Sequence, residues 1–509
     1  MARKAARREL SRARHWALAR TDRQIAWFAG ALVAVGIASI TLLRAYSLEA
    51  GYDLGYFTQA GWLIKHHKYV FVTARGLHLF ADHADPAMFP VAWLCRFGSV
   101  ATDLLIVQAV AIGMATVYLY RLARGPAGLA RMWAIVLVAA FALHPAVHNV
   151  ALAGFEIEVL ALPAAMAAAY YALQRRWWPY AAAVAVMLST KEDYALVALG
   201  LGVWLWTRHD RPAGTLSALS GVAWFAFSAG WLIPHFAKGD YTQAQRFTQY
   251  GPTTGAVVRF MAGHPLRVLA DLASSQNMLF VIAMLAPVLF LAVLAPRLLI
   301  PAVPLQTLLL LSNQGLAHDI RGHYAVAATT FVFAAAAFGL ASVSSGVSSG
   351  AGQRRLAVLV VVAALAGFGQ WALDSPTEHP WEWRVHTPSD RARLAAFHRI
   401  PRDASVAVTP NMIDLFAERQ DVYQFPQPFL YYIHLGSDRL SVARRRHDVD
   451  WVVIDLAGPW LPPIDRAAVI GTWIEQWGFT RVSEQAGVIV LKRVERVDHP
   501  TLPPIPGLE

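Results

Sequence analysis

The chain has 509 residues, of which 56% are hydrophobic and only 15% charged, with a formal net charge of +11. Several apolar runs approach the roughly twenty residues a bilayer core demands, which excludes one large soluble core and indicates a polytopic membrane protein. The lone cysteine, Cys95, excludes an intrachain disulfide and a cysteine-based metal cluster. The charge does not point to nucleic acid, because Arg3, Lys4, Arg7, Arg8, Arg12, Arg14, Arg20 and Arg23 crowd the segment before the first apolar run. That crowding is the positive-inside signature, so residues 1–24 read as a basic cytoplasmic N-terminus. Such a cluster also gains about 1 kcal/mol per basic residue near anionic headgroups. The first span is too long for a removed signal peptide and lacks a small-residue cleavage site.

In chain order, about eleven spans are expected within residues 25–374. They fall near Ile25–Leu43, Asp103–Leu122, Met132–His148, Glu158–Leu173, Trp178–Ser189, Tyr194–Trp206, Thr215–Ile233, Met278–Ala295, Leu298–Leu311, Tyr324–Ala341 and Leu356–Trp371. Pro163, Pro287, Pro301 and Pro304 are candidate breaks. Met88–Phe97 is a further apolar piece, too short to span. Arg121, Arg124, Arg131, Arg175, Arg176, Arg208, Arg211, Arg297, Arg354 and Arg355 fall in alternate loops, while Pro145–Glu158 and Ser312–Ile320 carry no lysine or arginine. This alternation predicts an N-inside, C-outside arrangement, with Lys191 the one basic residue in a short outer loop. Ser342–Gly352 reads as a cytoplasmic linker.

Two longer segments, 48–102 and 234–277, are expected outside. In the second, Val257–Met261 and Leu266–Leu272 mix apolar positions with Arg259, Arg267 and Asp271, the pattern of interfacial helices. Residues 375–509 change to the composition of a globular domain. Asp390–His398 and Arg466–Trp477 read as helices, and Ala404–Val408 and Trp451–Asp455 as buried strands. Phe479–Val482 with Gly487–Leu491 reads as a terminal strand pair. The alternation predicts a small α/β domain, with no glycine-rich phosphate fingerprint after either strand.

The first outer loop carries the densest chemistry. Asp53 sits among Tyr52, Leu54, Tyr56 and Phe57, a setting that desolvates a carboxylate, raises its pKa and makes it a better base. The competing expectation is that Asp53 caps a short helix starting at Leu54. Gln59, Lys65, His66, His67, Lys68 and His78 follow, any of them at home on a solvated surface. In Asp82-His83-Ala84-Asp85, Asp82, His83 and Asp85 offer a donor set that suits a divalent metal, although the spacing matches no strong motif. Lys191-Glu192-Asp193 places three charges at a junction between spans, which demands pairing or an aqueous cavity. Lys191 there is a candidate phosphate ligand, with Glu192 or Asp193 as the acid orienting it; the bland alternative is a solvated turn with both acids at a helix start. Glu156 and Glu158 pose the same question. His318, Asp319, Arg321, His323 and Tyr324 form a further polar knot, and Arg246 is suited to grip a phosphate bidentately. No Walker A loop, G-x-S-x-G elbow or H-E-x-x-H motif is present, which removes the ATP-driven pump and the ordinary serine hydrolase.

Tyr52-Asp53-Leu54-Gly55-Tyr56-Phe57-Thr58-Gln59, followed by Asp82-His83-Ala84-Asp85-Pro86, resembles a bacterial family of predicted multi-pass membrane proteins carrying a domain of unknown function. Lys191-Glu192-Asp193, Ile400–Val406 and Val449–Asp455 are similar to it too, so the resemblance covers most of the chain. That family in turn resembles the GT-C glycosyltransferases, which use polyprenyl-phosphate sugars and place an essential acid in the first extracytoplasmic loop. The resemblance implies an α-helical GT-C-like polytopic fold with a C-terminal extracytoplasmic domain in a bacterial cell membrane. It also implies inverting transfer of a sugar from a polyprenyl phosphate to an envelope glycan, lipid or protein. Asp53 would then be the general base. Lys191, Arg246 or Arg321 would offset charge on the departing phosphate, and Tyr52, Gln59, His83, Asp85, Glu192 and His323 would shape the substrate site. No cofactor is required beyond a possible divalent metal ion. Two rival classes stay open: a lipid-linked substrate transporter or flippase, and a non-catalytic envelope scaffold.

Overall fold

The computed structural model describes residues 2–375, 385–429, 445–458 and 475–497. The apolar runs form a helical bundle. Among the described residues, five helices are long and apolar enough to cross a membrane: Arg20–Tyr46, Val100–Arg124, Arg211–Ala237, His323–Gly346 and Gly350–Trp371. Two bent pairs bring the number to at most 7. Arg131–Ala142 and Pro145–Leu152 meet at 42°, because Pro145 cannot continue the preceding helix and instead starts the next one. Pro265–Leu272 and Ser275–Val288 meet at 53°.

The expectation of about eleven full spans gives way to a mixed set. Ile157–Leu173, Trp177–Leu188 and Tyr194–Thr207 are apolar but short. The runs expected at Met278–Ala295 and Leu298–Leu311 hold regular helix only over Ser275–Leu285 and Val303–Leu310, with 3-10 turns between. Pro287, Pro296, Pro301 and Pro304 remove backbone donors through this stretch, and irregular backbone at membrane depth survives where protein covers it. Here Leu291 packs so closely on Gly339 that a Cβ there would meet its carbonyl. The expected serine/glycine linker is also mostly helix. One helix continues to Gly346 and the next starts at Gly350, capped by the Ser349 hydroxyl, which accepts from Gly352 N at 3.0 Å.

The first helix runs from Ala2 to Tyr46. At its basic end Asp22 accepts from Tyr120 Oη at 3.0 Å, Arg124 Nη2 at 2.8 Å and Arg131 Nε at 3.0 Å, which ties it to its neighbours. At the other end Arg44 pairs with Asp374. On that side lies the first long loop. It holds the helix Tyr52–Lys65, strands β1 (Phe71–Val72) and β2 (Leu77–His78) in an antiparallel hairpin, and the short helix Met88–Leu94. The amphipathic helices Thr254–Gly263 and Pro265–Leu272 lie in the second long loop and expose Val258, Leu266 and Leu269.

The C-terminal region folds as a five-stranded sheet of order β4-β3-β5-β7-β6. Its strands are β3 (Val406–Val408), β4 (Val422–Gln424), β5 (Trp451–Asp455), β6 (Phe479–Gln485) and β7 (Val488–Arg493). β3 runs parallel to β4 and β5, and β7 antiparallel to β5 and β6. The helix Pro388–Arg399 begins with a capping box formed by Thr387 and Asp390. β4, which the sequence pattern did not reveal, is an edge strand. The helix expected at Arg466–Trp477 lies outside the described residues up to 474. A core shared by this sheet and the first long loop joins Leu54, Phe57, Leu63 and Val72 with Val406, Ile413, Phe416 and Val422.

Candidate active site

Gly51, at φ 91°, starts the Tyr52–Lys65 helix without a side-chain cap, so Asp53 lies in the first turn and caps nothing. Gly154, at φ +102°, sits where a Cβ would meet Ala50 O and Leu54 N. Only glycine fits that close, left-handed passage, and it brings the Glu156 loop onto the Asp53 turn. Around them opens a cavity of about 360 Å³. It is lined by Tyr52, Asp53, Tyr56, Arg75, Asp82, His83, Glu156, Glu158, Lys191, Arg246, His323 and Tyr324, among others. Residues separated by more than 270 positions thus face one space.

The charges are organised in pairs. Lys191 Nζ lies 3.2 Å from Glu158 Oε2, both side chains nearly inaccessible. Arg75 Nε lies 3.3 Å from Asp82 Oδ2. His83 Nδ1 lies 3.0 Å from Glu192 Oε1, which also accepts from Tyr241 Oη at 3.1 Å. Glu192 Oε2 accepts from Ala84 N at 3.0 Å. His323 bridges the two glutamates, with Nδ1 3.2 Å from Glu156 and Nε2 3.7 Å from Glu158. Arg246 differs. No carboxylate of a described residue lies within ion-pair distance of its guanidinium; its Nε is buried without a hydrogen-bond partner, and the group faces the Tyr324 ring at 5.7 Å.

Burial sets the protonation pattern. It pushes the Asp53 carboxyl above its ordinary range, with Arg75 opposing. Burial, reinforced by the Asp53 charge, also pushes Glu156 well above its ordinary range. The hydrogen bond between the two carboxyls lowers Asp53 and raises Glu156, which favours Asp53 as the acceptor of the pair. Burial would also raise Asp82, but Arg75, His83 and Arg246 outweigh it and hold that carboxyl below the usual range. Burial would lower Lys191, but Glu158, Asp193 and Tyr324 together outweigh it and keep the ammonium charged.

A second cavity, of about 210 Å³, shares His83 and Arg246 with the first. Its other walls include Phe225, Phe247, Val257, Met261, Leu308 and Leu309, with Glu192, Asp193, Tyr241 and Gln243 on the polar side. Arg246 thus stands between a charged chamber and an apolar one.

Of the residues singled out from sequence, Tyr52, Asp53, His83, Lys191, Arg246 and His323 line the first cavity, and Glu192 lines the second. Gln59 lies behind the wall, bonded to Thr73 and Ala74. Asp85 is 1% exposed and lines neither cavity. Arg321 lines neither as well; its backbone N donates to Asp319 at 2.9 Å. Asp82, His83 and Asp85 do not converge as a metal donor set, because successive side chains diverge and Asp82 and His83 are engaged by Arg75 and Glu192. Among the described residues the group whose donor atoms do converge is Asp53, Glu156 and His323, all within 4.8 Å of one another. Two carboxylates and an imidazole fit a divalent cation such as manganese or zinc. Sequence reasoning missed Arg75. Its one signal is a single charge in the otherwise uncharged stretch Tyr69–Leu77.

The fold resembles ArnT from Cupriavidus metallidurans bound to undecaprenyl phosphate, with a TM-score of 0.50 at 11% identity, over 91% of this chain and 97% of that one. Arabinofuranosyltransferase AftD from Mycobacteria matches 92% of this chain and 40% of its own length, with a TM-score of 0.47 at 16% identity. The Archaeoglobus fulgidus oligosaccharyltransferase matches 89% of this chain and 74% of its own, with a TM-score of 0.38 at 11% identity. These neighbours are GT-C glycosyltransferases. No curated protein matches the sequence. Residues 44–490 match the predicted membrane protein family DUF2079, and the chain belongs to that family.

Proposed function

We propose that the protein is a bacterial cell-membrane glycosyltransferase that moves a sugar from a polyprenyl phosphate onto an extracytoplasmic acceptor. The observation that carries this reading is one buried cavity faced by both Asp53 and Arg246. The first is a desolvated acid; the second is a buried cation with no ion-pair partner among the described residues. The apolar chamber on the other side of Arg246 suits the first prenyl units of a lipid whose phosphate rests on the guanidinium. The undecaprenyl phosphate bound by the similarly folded ArnT supports this choice of donor.

In the reaction, Asp53 takes the proton of the acceptor hydroxyl as its oxygen attacks the anomeric carbon. The bond from that carbon to the phosphate oxygen breaks on the opposite face, with inversion. Its electron pair leaves on the polyprenyl phosphate, where Arg246, with Lys191 further back, offsets the charge. Lys191 is the weaker partner because Glu158 already holds it. A divalent ion held by Asp53, Glu156 and His323 would supply further charge stabilisation. His83, fixed by Glu192, lies between the chambers and is suited to orient the acceptor.

The test is reconstitution of the full chain in liposomes with a polyprenyl-phosphate sugar and envelope acceptors. Transfer by wild type, lost in Asp53→Asn with normal insertion, supports the assignment. Unchanged transfer by the variant removes Asp53 as the base. Movement of the lipid-linked sugar across the bilayer with no new glycosidic product overturns the transferase reading.

A further inference from the structure

Arg75 reaches the cavity from the turn between β1 and β2, residues Thr73 to Gly76, and that turn is held from outside the membrane bundle. The Thr73 hydroxyl accepts from Gln59 Nε2 at 2.7 Å and from Val422 N at 3.0 Å, and donates to Val422 O at 2.7 Å. Its one proton and both lone pairs are therefore used. Val422 belongs to β4, the edge strand of the C-terminal sheet. The hydroxyl thus satisfies backbone groups that an edge strand otherwise leaves open. Gln59 completes the clamp. Its Nε2 also donates to Gln420 O at 2.9 Å, and its Oε1 accepts from Ala74 N at 3.0 Å. Tyr52 Oη, one residue before Asp53, donates to Ala74 O at 3.0 Å. Gln59 and Thr73 are almost wholly buried.

A second contact fixes the helix that carries Asp53. Gly55 packs on the short helix Ile413–Phe416 so closely that a Cβ would lie 2.5 Å from Ile413 Cγ2 and 2.8 Å from Asp414 N. Phe71, beside the turn, stacks under the Arg445 guanidinium at 4.7 Å. The C-terminal region therefore grips both, the Ile413–Phe416 helix holding the acid-bearing helix and edge strand β4 the arginine-bearing turn.

We propose that the C-terminal domain sets the geometry of the catalytic cavity from behind its wall, without lining it, and that Gln59 and Thr73 are positioning residues that hold Arg75 toward Asp53 and Asp82. This rests on reading the cavity as catalytic. The domain's role is then to set the geometry of the acid rather than to act as a separate acceptor module.

The experiment compares Thr73→Val, Thr73→Ser and Arg75→Ala, and the double variant Thr73→Val/Arg75→Ala, in the full chain in nanodiscs. Displacing a positioned group by an ångström costs on the order of 10²-fold in turnover. Thr73→Val is expected to lower kcat by about that factor with KM for the lipid donor unchanged, and Thr73→Ser to restore it. The double variant should be no slower than Arg75→Ala alone, because Thr73 acts through Arg75. Multiplying effects, or failure of serine to rescue, overturn the proposal.

A readout without substrate separates this from the transferase reading. Amide exchange of residues 71–78 should accelerate in Thr73→Val but not in Thr73→Ser, with β5 and β7 unchanged. Equal exchange in all three proteins overturns the clamp even if transfer is observed. An intact clamp in a protein that transfers no sugar overturns only the transferase.

Discussion

Lys191 and Arg246 face one cavity with equal charge, yet the structure gives them opposite sensitivities. Lys191 is 5% exposed and Glu158 4%, at 3.2 Å. Removing the lysine strands a buried carboxylate, with His323 Nε2 at 3.7 Å the nearest relief. Breaking such a pair costs about 3–5 kcal/mol of stability. Arg246 has no ion-pair partner among the described residues, so its removal strands nothing at contact distance. The loss is about 1 kcal/mol, from the Tyr324 ring. In turnover the order reverses. Two hydrogen bonds from the guanidinium to a phosphate are worth about 3–6 kcal/mol together, or about 10²- to 10⁴-fold in rate. Thermal unfolding in one detergent, with initial transfer rates on the folded fraction, separates the cases. Lys191→Ala should unfold early and recover stability when combined with Glu158→Gln. Arg246→Ala should unfold near wild type and transfer slowly. If Arg246→Ala is as unstable as Lys191→Ala, or keeps more than a third of wild-type transfer, the assignment of Arg246 to the leaving phosphate is wrong.

Asp53→Asn should keep the fold and lower transfer by about 10²- to 10⁴-fold, the usual worth of a general base; a smaller loss in a kinetic assay reassigns the proton. Because burial raises Asp53 and Glu156 in the folded state, the stability they contribute is fully present below the ordinary carboxylate range and is lost as pH rises through the raised values. Transfer should rise over that same interval. Glu156→Gln should flatten the pH dependence of the unfolding midpoint, and a curve parallel to wild type would contradict the pairing. If Asp53, Glu156 and His323 hold a divalent ion, exhaustive chelation should suppress transfer and manganese should restore it, with metal content read by mass spectrometry; full activity without metal excludes that role. Gly55→Val should cost about 1–3 kcal/mol by overpacking against Ile413 and Asp414. Gly36→Ala, with open space around it, should be neutral or stabilising in the same melt.

Asp53 was legible because its aromatic, glycine-flanked setting is local in sequence, and Arg246 because an arginine suited to a phosphate stood out in a long loop. Their meeting in one cavity was not legible, since it depends on chain segments hundreds of residues apart. Glu156 and Glu158 looked like ordinary residues at a helix mouth; their burial comes from Lys191 and His323, which no local pattern connects to them. Arg75 was passed over because a two-strand hairpin leaves almost no periodicity to read. Gln59 was noticed as a substrate ligand, yet the amide is spent on Thr73, Ala74 and Gln420. In the bundle, hydropathy marked where apolar segments lie. Length and regularity failed where prolines and tight packing replaced helix between Leu285 and Val303. Buried strands β3 and β5 show as apolar runs, whereas edge strand β4 is three residues long and owes its place to Thr73.

Every residue lining the charged chamber precedes Val326 in the chain, the last being Tyr324, whereas the clamp on Arg75 closes across 349 positions, from Thr73 to Val422. At roughly 5–20 residues per second of synthesis, the first loop waits about 17–70 s for the strand that completes it. During that time the nascent protein holds its acid and its arginine without the edge that aims one at the other. A chain cut short before Gln420 would carry every residue of the chamber and still lack the strand that fixes Arg75, so the chamber's geometry is complete only once that strand has been made.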